Sequence, residues 1–359
     1  MSSLKTGMNE RLRAAWRRNR ALLQRSVLAS AMALASLAAG AEEALPSLRV
    51  SQPWSCVFAD HDLAFSVTVT AARPLSGRMG WSLAVAGRTV FRREQAVTST
   101  PDKPAEVDLR TQLPPVKPGV VVAASLSVVL MEDGVSEPVA QLTRPLWIFP
   151  EDASHARHER LRELKLQVFD PERKLVPILE EAEVPFETIQ SSGALEGVQA
   201  GTIVIGPGVA PEDNRGLWSV LAGLAAAGRP VLWLCPGEGR LNVPGAANSQ
   251  LPAPMGLHLQ RTDIITQLDK RLDASGWPPD GKLVGVSFEL SGTGETTVLQ
   301  VCPGDTAWPW FCAEFATGGR LVLCGFDLVD GWAAGPVPRF LFARMIEWLH
   351  ESQKKEERQ

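Results

Sequence analysis

The segment that decides the fold is Gly228-Arg-Pro-Val-Leu-Trp-Leu-Cys-Pro-Gly-Glu-Gly239. Its residues from Pro230 to Leu234 are apolar, and the Pro-Gly pair after Cys235 forces the chain to turn. A short apolar run closed by turn residues is typical of a strand that is buried on both faces of a parallel sheet. Ligand and catalytic groups in open α/β sheets collect at the carboxyl ends of the strands, so Cys235 stands where a nucleophile would be displayed.

Strand and helix patterns alternate around this segment, which indicates a parallel sheet with helices on both faces. Asp170 is predicted to cap a helix with Pro171 at its first position, and Gly228 to end another. The predicted elements are strands at 166–169, 186–189, 202–205, 230–234, 284–290, 297–301, 311–315 and 321–324, and helices at 170–182, 214–227, 263–272 and 337–350. Turns are predicted at 291–294 and 317–319, a loop at 241–254 and a charged tail at 351–359.

Residues 46–150 follow a different pattern, in which apolar and polar residues alternate. The alternation is clearest at Phe65, Val67 and Val69 and is typical of half-buried antiparallel strands. Further runs occur at 80–85, 89–93, 105–109, 120–130 and 139–148. Six or seven strands without a helical period predict an immunoglobulin-like sandwich. Cys56 has no second cysteine within this segment, so we expect Cys56 and Trp81 to be core residues.

Residues 151–160 are predicted to form a linker helix between the two domains. His155 and His158 are three positions apart and can share a metal ion, but no third ligand is near in sequence, so a solvated helix is the expectation. Neither a metal-binding motif nor a phosphate loop occurs in the chain, so we predict no metal and no cofactor.

The first 41 residues resemble an export signal: a basic segment to Arg25, an apolar run over 26–40, and small residues before Glu42. The apolar run is shorter than the about 20 residues that span a bilayer, so we expect cleavage and export to the periplasm or beyond. The alternative is a protein anchored in the membrane by residues 26–40. N-terminal sequencing of the exported chain distinguishes the two.

Size and charge limit the partners. The chain of 359 residues, 45% of them hydrophobic, is long enough for more than one core, so we predict a multidomain protein. Residues 42–359 hold 29 basic and 39 acidic residues, a formal charge of −10. So acidic a protein repels phosphate backbones, which excludes nucleic acid as an expected partner. A protein partner, a glycan or oligomerisation stays open.

Residues 160–350 resemble the class I glutamine-amidotransferase-like fold. The resemblance rests on the strand-helix succession, on Pro230-Val-Leu-Trp-Leu-Cys-Pro-Gly237 and on Gly318-Gly-Arg-Leu-Val-Leu-Cys-Gly-Phe-Asp-Leu328. The resemblance is strongest to the non-catalytic members of this fold, such as the accessory or trimerisation-type domains of secreted β-galactosidases. In those enzymes β domains precede such a module. The resemblance implies a flavodoxin-like α/β domain that acts in binding or assembly, with carbohydrate-processing proteins or glycans as partners.

The resemblance also bears on Cys235. Active amidotransferases carry Gly-x-Cys-x-Gly, in which the glycines permit a strained elbow that presents the thiolate. Cys235 and Gly237 match this motif, but Trp233 replaces the first glycine. The family's His and Glu follow the last strand, where this chain has Asp327 and Asp330 and no histidine. Without a base, a thiol with a pKa of about 8.5 is only slightly ionised at neutral pH, so we expect Cys235 to be structural.

The competing prediction is an enzyme, a thiol-dependent hydrolase or amidase. Its nucleophile would be Cys235 and its base His258, oriented by Glu238 or Asp263. The geometry that decides between the predictions is the position of His258 relative to the Cys235 sulfur.

Four residues are candidates for binding. Asp170 and Asp327 follow predicted strands of the parallel sheet, and Trp308 and Trp310 carry flat rings that suit a sugar. The competing interpretation of the tryptophans is a pair packed against the final helix.

Overall fold

The computed structural model describes residues 45–211, 213–214, 216–237, 241–242, 251–277, 281–287, 290–291, 298–301 and 308–351. The predicted export signal and the tail beyond residue 351 lie outside these ranges, as does Glu238. Among the described residues, no helix combines the length and apolar character needed to cross a bilayer.

The first domain is a β-sandwich of eight strands. A three-stranded sheet has the order β1-β3-β6 and a five-stranded sheet the order β2-β8-β7-β4-β5. The strands are β1 (Ser47–Val50), β2 (Cys56–Phe58), β3 (Asp62–Thr70), β4 (Leu75–Val85), β5 (Arg88–Ser99), β6 (Ala105–Gln112), β7 (Val122–Glu132) and β8 (Pro138–Phe149). Phe65, Val67 and Val69 face the inside and are fully buried, which confirms the alternation found in the sequence. Trp81 and Cys56 are also buried, as predicted.

The second domain is built on an eight-stranded mixed sheet with the order β10-β9-β11-β12-β18-β17-β14-β16. Its strands are β9 (Leu166–Phe169), β10 (Phe186–Thr188), β11 (Thr202–Ile205), β12 (Val231–Leu234), β14 (Gly256–Gln260), β16 (Val298–Val301), β17 (Trp310–Glu314) and β18 (Arg320–Cys324). β13 (Leu241–Asn242) and β15 (Leu290–Ser291) pair separately. In chain order, the five parallel strands lie as 2-1-3-4-5, so the order reverses between β9 and β11.

Helices cover both faces of this sheet because its central strands are apolar on both sides. All four residues of β11 and of β12 are buried. The helices are α1 (His158–Leu164), α2 (Val176–Glu181), α3 (Leu217–Ala226), α4 (Asp263–Leu268) and α5 (Pro336–Leu349). One core lies between the sheet and α1, α2, α4 and α5, and another between the sheet and α3. The predicted linker helix is present as a 3-10 turn at His155–Arg157 followed by α1.

The two domains share a packed seam. The Ser55 hydroxyl donates to Asp273 Oδ2 at 2.8 Å, and the Cys56 thiol donates to the Arg271 carbonyl at 3.1 Å. The rings of Phe149 and Phe340 lie 4.6 Å apart between their centroids. Buried apolar and polar contacts of this kind fix the sandwich against the second domain.

Three predictions about local structure are wrong. The helix expected to start at Pro171 starts at Val176, because a loop with Arg173 at a φ of 53° precedes it. His258, expected in or after a loop, lies within β14, between β17 and β16. The predicted strands at 284–290 and 297–301 do not pair with each other: β15 pairs with β13 and β16 with β14. The turn expected to join them at 291–294 lies almost entirely outside the described residues.

Candidate functional site

Cys235 lies at the carboxyl end of β12 on a backbone elbow. Its φ is 35°, in the left-handed region that side chains other than glycine rarely adopt. The elbow is held on both sides, because the Cys235 N–H donates to the Cys324 carbonyl at 2.7 Å and Gly208 donates to the Cys235 carbonyl at 2.9 Å. Trp233, which stands where the amidotransferase motif has glycine, is fully buried beside Trp218. The elbow therefore forms without the first glycine.

The surroundings of the Cys235 sulfur favour the neutral thiol. The thiol donates to the Phe326 carbonyl at 3.1 Å. Burial, together with the negative charges of Asp327 and Asp330, raises the pKa of Cys235 from an ordinary value of 9.0 to about 12, against a smaller opposing effect of Lys174. At neutral pH the thiolate is therefore a very minor form, and the sulfur is a poor nucleophile.

The structure does not bring His258 to Cys235. The order β12-β18-β17-β14 places them three strands apart, which is about 14 Å at the usual strand spacing. His258 Nε2 instead lies 3.2 Å from Glu314 Oε2. Glu314 also pairs with Arg320 at 2.8 Å, so the imidazole belongs to a separate cluster of charged side chains.

The other four histidines also lie within the described residues and have other partners. His61 contacts Glu151 at 3.2 Å, and His350 contacts the Thr202 hydroxyl. His155 lies 3.8 Å from Asp152. His158 bonds to the Glu183 carbonyl. No imidazole is thus available to Cys235 as a base in the described part of the chain.

Asp170 lies at the point where the strand order reverses. One oxygen of its carboxylate is hydrogen-bonded within the chain, and the other, Oδ1, is buried without a hydrogen-bond partner among the described residues. Its Oδ2 accepts the N–H groups of Leu175 and Val176 at 2.7 and 2.9 Å, which caps the start of α2 from five residues upstream. Its Oδ1 is packed against Gly206, where an added Cβ would lie only 2.2 Å away. The residue is 6% exposed, so Asp170 acts as a buried cap and not as a lining residue of an open site.

The remaining predicted site residues separate into accessible and buried groups. Asp330 is exposed and Asp327 half-buried, and the negative charges of both raise the pKa of Cys235. Trp308 and Trp310 are 8% and 1% exposed, so neither presents a ring face to a sugar. The Trp310 ring stacks on Phe326, with centroids 6.3 Å apart, and its centroid lies 5.9 Å from that of Trp348 in α5. This is the competing interpretation, a pair packed against the final helix.

Asp263, the other predicted orienting residue, accepts the Arg261 N–H and contacts Gln267, away from the elbow.

No group of three or more potential metal ligands is formed by the described side chains. Sequence reasoning missed two charged residues that the fold brings together with His258, namely Glu314 and Arg320. Glu314 and Arg320 are direct partners across the β17–β18 hairpin, so the predicted hairpin was a signal that could have found them.

Comparison with known proteins gives partial structural overlaps and no family. No protein-family model matches the sequence, and no curated protein resembles it. The fibronectin(III)-like modules of Clostridium thermocellum CbhA overlap 29% of this chain and 96% of their own, at 13% identity and a TM-score of 0.19. A putative beta-galactosidase from Bacteroides fragilis overlaps 53% of this chain and 38% of its own, at 10% identity and a TM-score of 0.22.

A third overlap is with Spo0M, a sporulation control protein from Bacillus subtilis, over 33% of this chain and 54% of that protein, at 11% identity and a TM-score of 0.22. Scores this low carry no argument about activity.

Proposed function

We propose that this chain is an exported, non-catalytic binding or assembly protein. In this proposal an immunoglobulin-like sandwich is fixed to a flavodoxin-like domain of the amidotransferase-like type that lacks a working nucleophile. The 2-1-3-4-5 order of the parallel strands and the elbow at Cys235 support the second assignment. The export assignment depends on the sequence of residues 1–41 alone.

The observation that carries the proposal is geometric: the Cys235 thiol donates to the Phe326 carbonyl, and His258 lies three strands away beside Glu314. A cysteine nucleophile needs a lowered pKa or an adjacent base. Burial and the charges of Asp327 and Asp330 instead raise the pKa of Cys235, and its thiol donates to a carbonyl oxygen. In this proposal the sulfur stabilises the turn that follows β12, through its hydrogen bond to the Phe326 carbonyl.

The packed seam supports a binding or assembly role. A sandwich attached rigidly to an α/β domain presents its surfaces in one fixed arrangement, which reduces the entropy lost when a partner is bound. A protein partner or a glycan from a carbohydrate-processing system is the class that the sequence resemblance implies.

One observation favours the enzyme alternative. A positive φ at a cysteine on a strand end is the kind of strain that functional sites store. In that alternative the strained elbow is active and a base comes from outside the described residues or from a substrate.

The first measurement is hydrolysis of glutamine, asparagine and simple amide substrates by the exported protein and by its Cys235→Ala variant. The second is binding of the same two proteins to a glycan array and to candidate partner proteins. The proposal expects no amide hydrolysis by either protein and equal binding by both. Hydrolysis by the wild type that disappears in Cys235→Ala would establish the enzyme instead.

A further inference from the structure

The strand β5 lies at one end of the five-stranded sheet, with β4 beside it and no described strand on its other side. It is 12 residues long, and its part from Arg88 to Ala96 is exposed on both faces of the sheet, apart from the half-buried Phe91. Val90 in this part is a large apolar residue that is 51% exposed. Long uncovered strands of this kind are sites at which another chain can pair.

The backbone of β5 can make a second set of hydrogen bonds. In an antiparallel pair, every second residue directs its N–H and C=O away from the neighbouring strand. The pairing with β4 uses one side of β5 from Arg88 to Ser99. In the described part of the chain, residues 88–99 make no backbone hydrogen bond outside that pairing. The other side of β5 is therefore a row of donors and acceptors that a further extended strand can continue.

The charges on β5 favour a second copy of the same strand. Arg92 and Glu94 are exposed and lie on the outer face of the sheet, paired with Ser82 and Gly80 of β4. Charged residues at the end of a sheet usually oppose pairing with other chains. Two copies of β5 that pair antiparallel with Arg93 at the centre instead place Arg92 of each copy directly opposite Glu94 of the other, and such pairs stabilise a sheet.

The same charges select one register. With Arg93 on the two-fold axis, an Arg92–Glu94 pair forms on each side of it, and Phe91 of each copy lies opposite Gln95 of the other. Arg93 meets its own copy, which is the like-charge pair of this register. Moving the centre to Arg92 or to Glu94 removes both ion pairs and still leaves like charges on the axis. Arg93 is therefore the favoured centre.

The other strands at the ends of the two sheets are less suited to pairing. β1 and β2 have four and three residues. β6 has eight residues, and one of its faces is buried in the sandwich core through Val107 and Leu109. β5 is longer than these strands and is exposed on both faces, so a second strand can contact it from either side.

We propose that a second copy of this chain pairs with β5, so that the two five-stranded sheets become one continuous sheet in a two-fold symmetric dimer. An antiparallel pairing of one strand with itself is closed by a two-fold axis and adds no further subunits. We call this contact the β5 interface. It uses the sandwich alone and does not rest on the proposed function, which is decided by amide hydrolysis and by binding of other molecules.

The first experiment is sedimentation equilibrium of the full exported chain from about 1 µM to about 1 mM, the range in which small interfaces associate. We expect a reversible equilibrium between monomer and dimer. A monomer at every concentration would overturn the proposal, including the case in which β5 pairs with an extended peptide of another protein.

Charge reversal locates the β5 interface. Arg92→Glu should weaken the dimer about tenfold, because it places like charges opposite each other on both sides of the axis. Glu94→Arg should do the same, although Glu94 also contacts Arg78 of its own chain at 3.2 Å. The double variant Arg92→Glu/Glu94→Arg should dimerise again, since each ion pair is then restored with its charges exchanged.

The matched control is Glu106→Arg, an exposed charge reversal on β6, which should leave the dimer unchanged. A double variant that stays monomeric, or a control that weakens the dimer as much as Arg92→Glu does, would refute pairing through β5.

Crosslinking through introduced cysteines reads the register. With Arg93 on the axis, the two Cα atoms at position 93 lie about 4.5–5.5 Å apart, within the range of a disulfide. The two Cα atoms at position 95 are four residues apart along the pair, or about 14 Å. With oxidised glutathione we therefore expect Arg93→Cys to give a covalent dimer and Gln95→Cys to give none, against the wild-type background. Equal crosslinking of the two variants, or none of Arg93→Cys, would contradict the proposed pairing.

A last variant should strengthen the dimer. Arg93→Thr removes the like charges on the axis and introduces a β-branched residue that suits a strand. We expect association about threefold tighter than in the wild type, whereas a role of Arg93 outside the β5 interface predicts no change. Weaker association of Arg93→Thr would overturn the register.

Discussion

The carboxyl edge of the parallel sheet uses its polar groups differently from a second region, a cavity of about 320 Å³ that we call the linker cavity. This cavity is lined by residues 151–154 and 181–184 and by Trp332, Arg339 and Phe342. At the edge, the Asp170 carboxylate caps α2 and the Cys235 thiol bonds to the Phe326 carbonyl. At the cavity, Glu181 and Glu183 are exposed, and Arg339 interacts electrostatically with Glu151, Glu181 and Asp152. The edge is where open α/β sheets usually bind ligands. The comparison teaches that a chain can keep the topology of a site while using its polar groups for structure.

The largest expected effect is at the edge, in the alkylation of Cys235. Its pKa, raised from 9.0 to about 12, leaves about a thousandfold less thiolate than an ordinary cysteine at about pH 8. We expect the iodoacetamide rate at Cys235, followed by peptide mass spectrometry, to be lower by about that factor and to rise about tenfold per pH unit up to pH about 10. The reference is the same chain in denaturing urea.

Asp330→Asn is the matched variant for this measurement. Because the Asp330 charge is one cause of the raised pKa, its removal should lower the Cys235 pKa and speed alkylation. A wild-type alkylation rate that already levels off near neutral pH would show a reactive thiolate at Cys235. The contrast between the edge and the linker cavity would then fail, because the edge would present a nucleophile.

The next effect concerns the stability contributed by Asp170. Asp170→Ala leaves two buried N–H groups, those of Leu175 and Val176, without an acceptor. We expect the free energy of unfolding to fall by about 3 kcal/mol in urea denaturation, since each lost bond involves a charged acceptor. Glu172→Ala, exposed in the same loop, should change it by less than about 0.5 kcal/mol. A loss as small as that of the control would show that Asp170 is available for a ligand.

The edge shows why the elements were easier to predict than the roles of their residues. The apolar run at 230–234 predicts β12 because burial on both faces leaves a continuous hydrophobic signal. Asp170-Pro171 has the sequence of a cap and a first helical residue, yet the helix starts at Val176. Asp170 does cap it, across a loop whose path depends on contacts with Gly206 on the next strand. Those contacts are tertiary and leave no local pattern.

The linker cavity was beyond sequence reasoning for the same physical reason. Glu151, Glu181 and Trp332 are separated by 30 to 181 positions and meet only once α2 and α5 pack on the sheet. Each residue alone resembles an ordinary exposed acid or a core aromatic. The predicted linker helix at 151–160 is present only from His155 onward, and residues 151–154, which line the cavity, are not helical.

A smaller effect tests whether Gly206 and Asp170 act as one unit. A Cβ at residue 206 would lie 2.2 Å from Asp170 Oδ1, and the carboxylate cannot move without breaking the cap on α2. Gly206→Ala should therefore cost about 2 kcal/mol in the wild type and much less in an Asp170→Ala background, because the opposing atoms are then gone. Additive costs in the double-mutant cycle would show that the two residues act independently and that Gly206 does not hold Asp170 in its capping position.

The smallest effect is at the rim of the linker cavity, where Asp152 holds the start of the 3-10 turn. Burial raises its pKa, but the hydrogen bonds from Ser154 and His155 outweigh burial, so the pKa lies below its ordinary 3.8. A lowered pKa in the folded state gives stability that is present above the unfolded value and is lost as pH falls through the folded value, here below about pH 4. Because Asp152 is largely solvated, we expect Asp152→Asn to cost less than about 1 kcal/mol at about pH 7 and still less at about pH 3, measured by urea unfolding.

Ser154→Ala is the matched variant for the rim. It keeps the Asp152 carboxylate and removes one hydrogen-bond donor, so it should reduce the pH-dependent stability only in part. A cost for Asp152→Asn as large as that of Asp170→Ala would mean that the rim carboxylates stabilise the fold as strongly as those of the edge. The contrast between the two regions would then fail, because the polar groups of both would serve the structure of the chain.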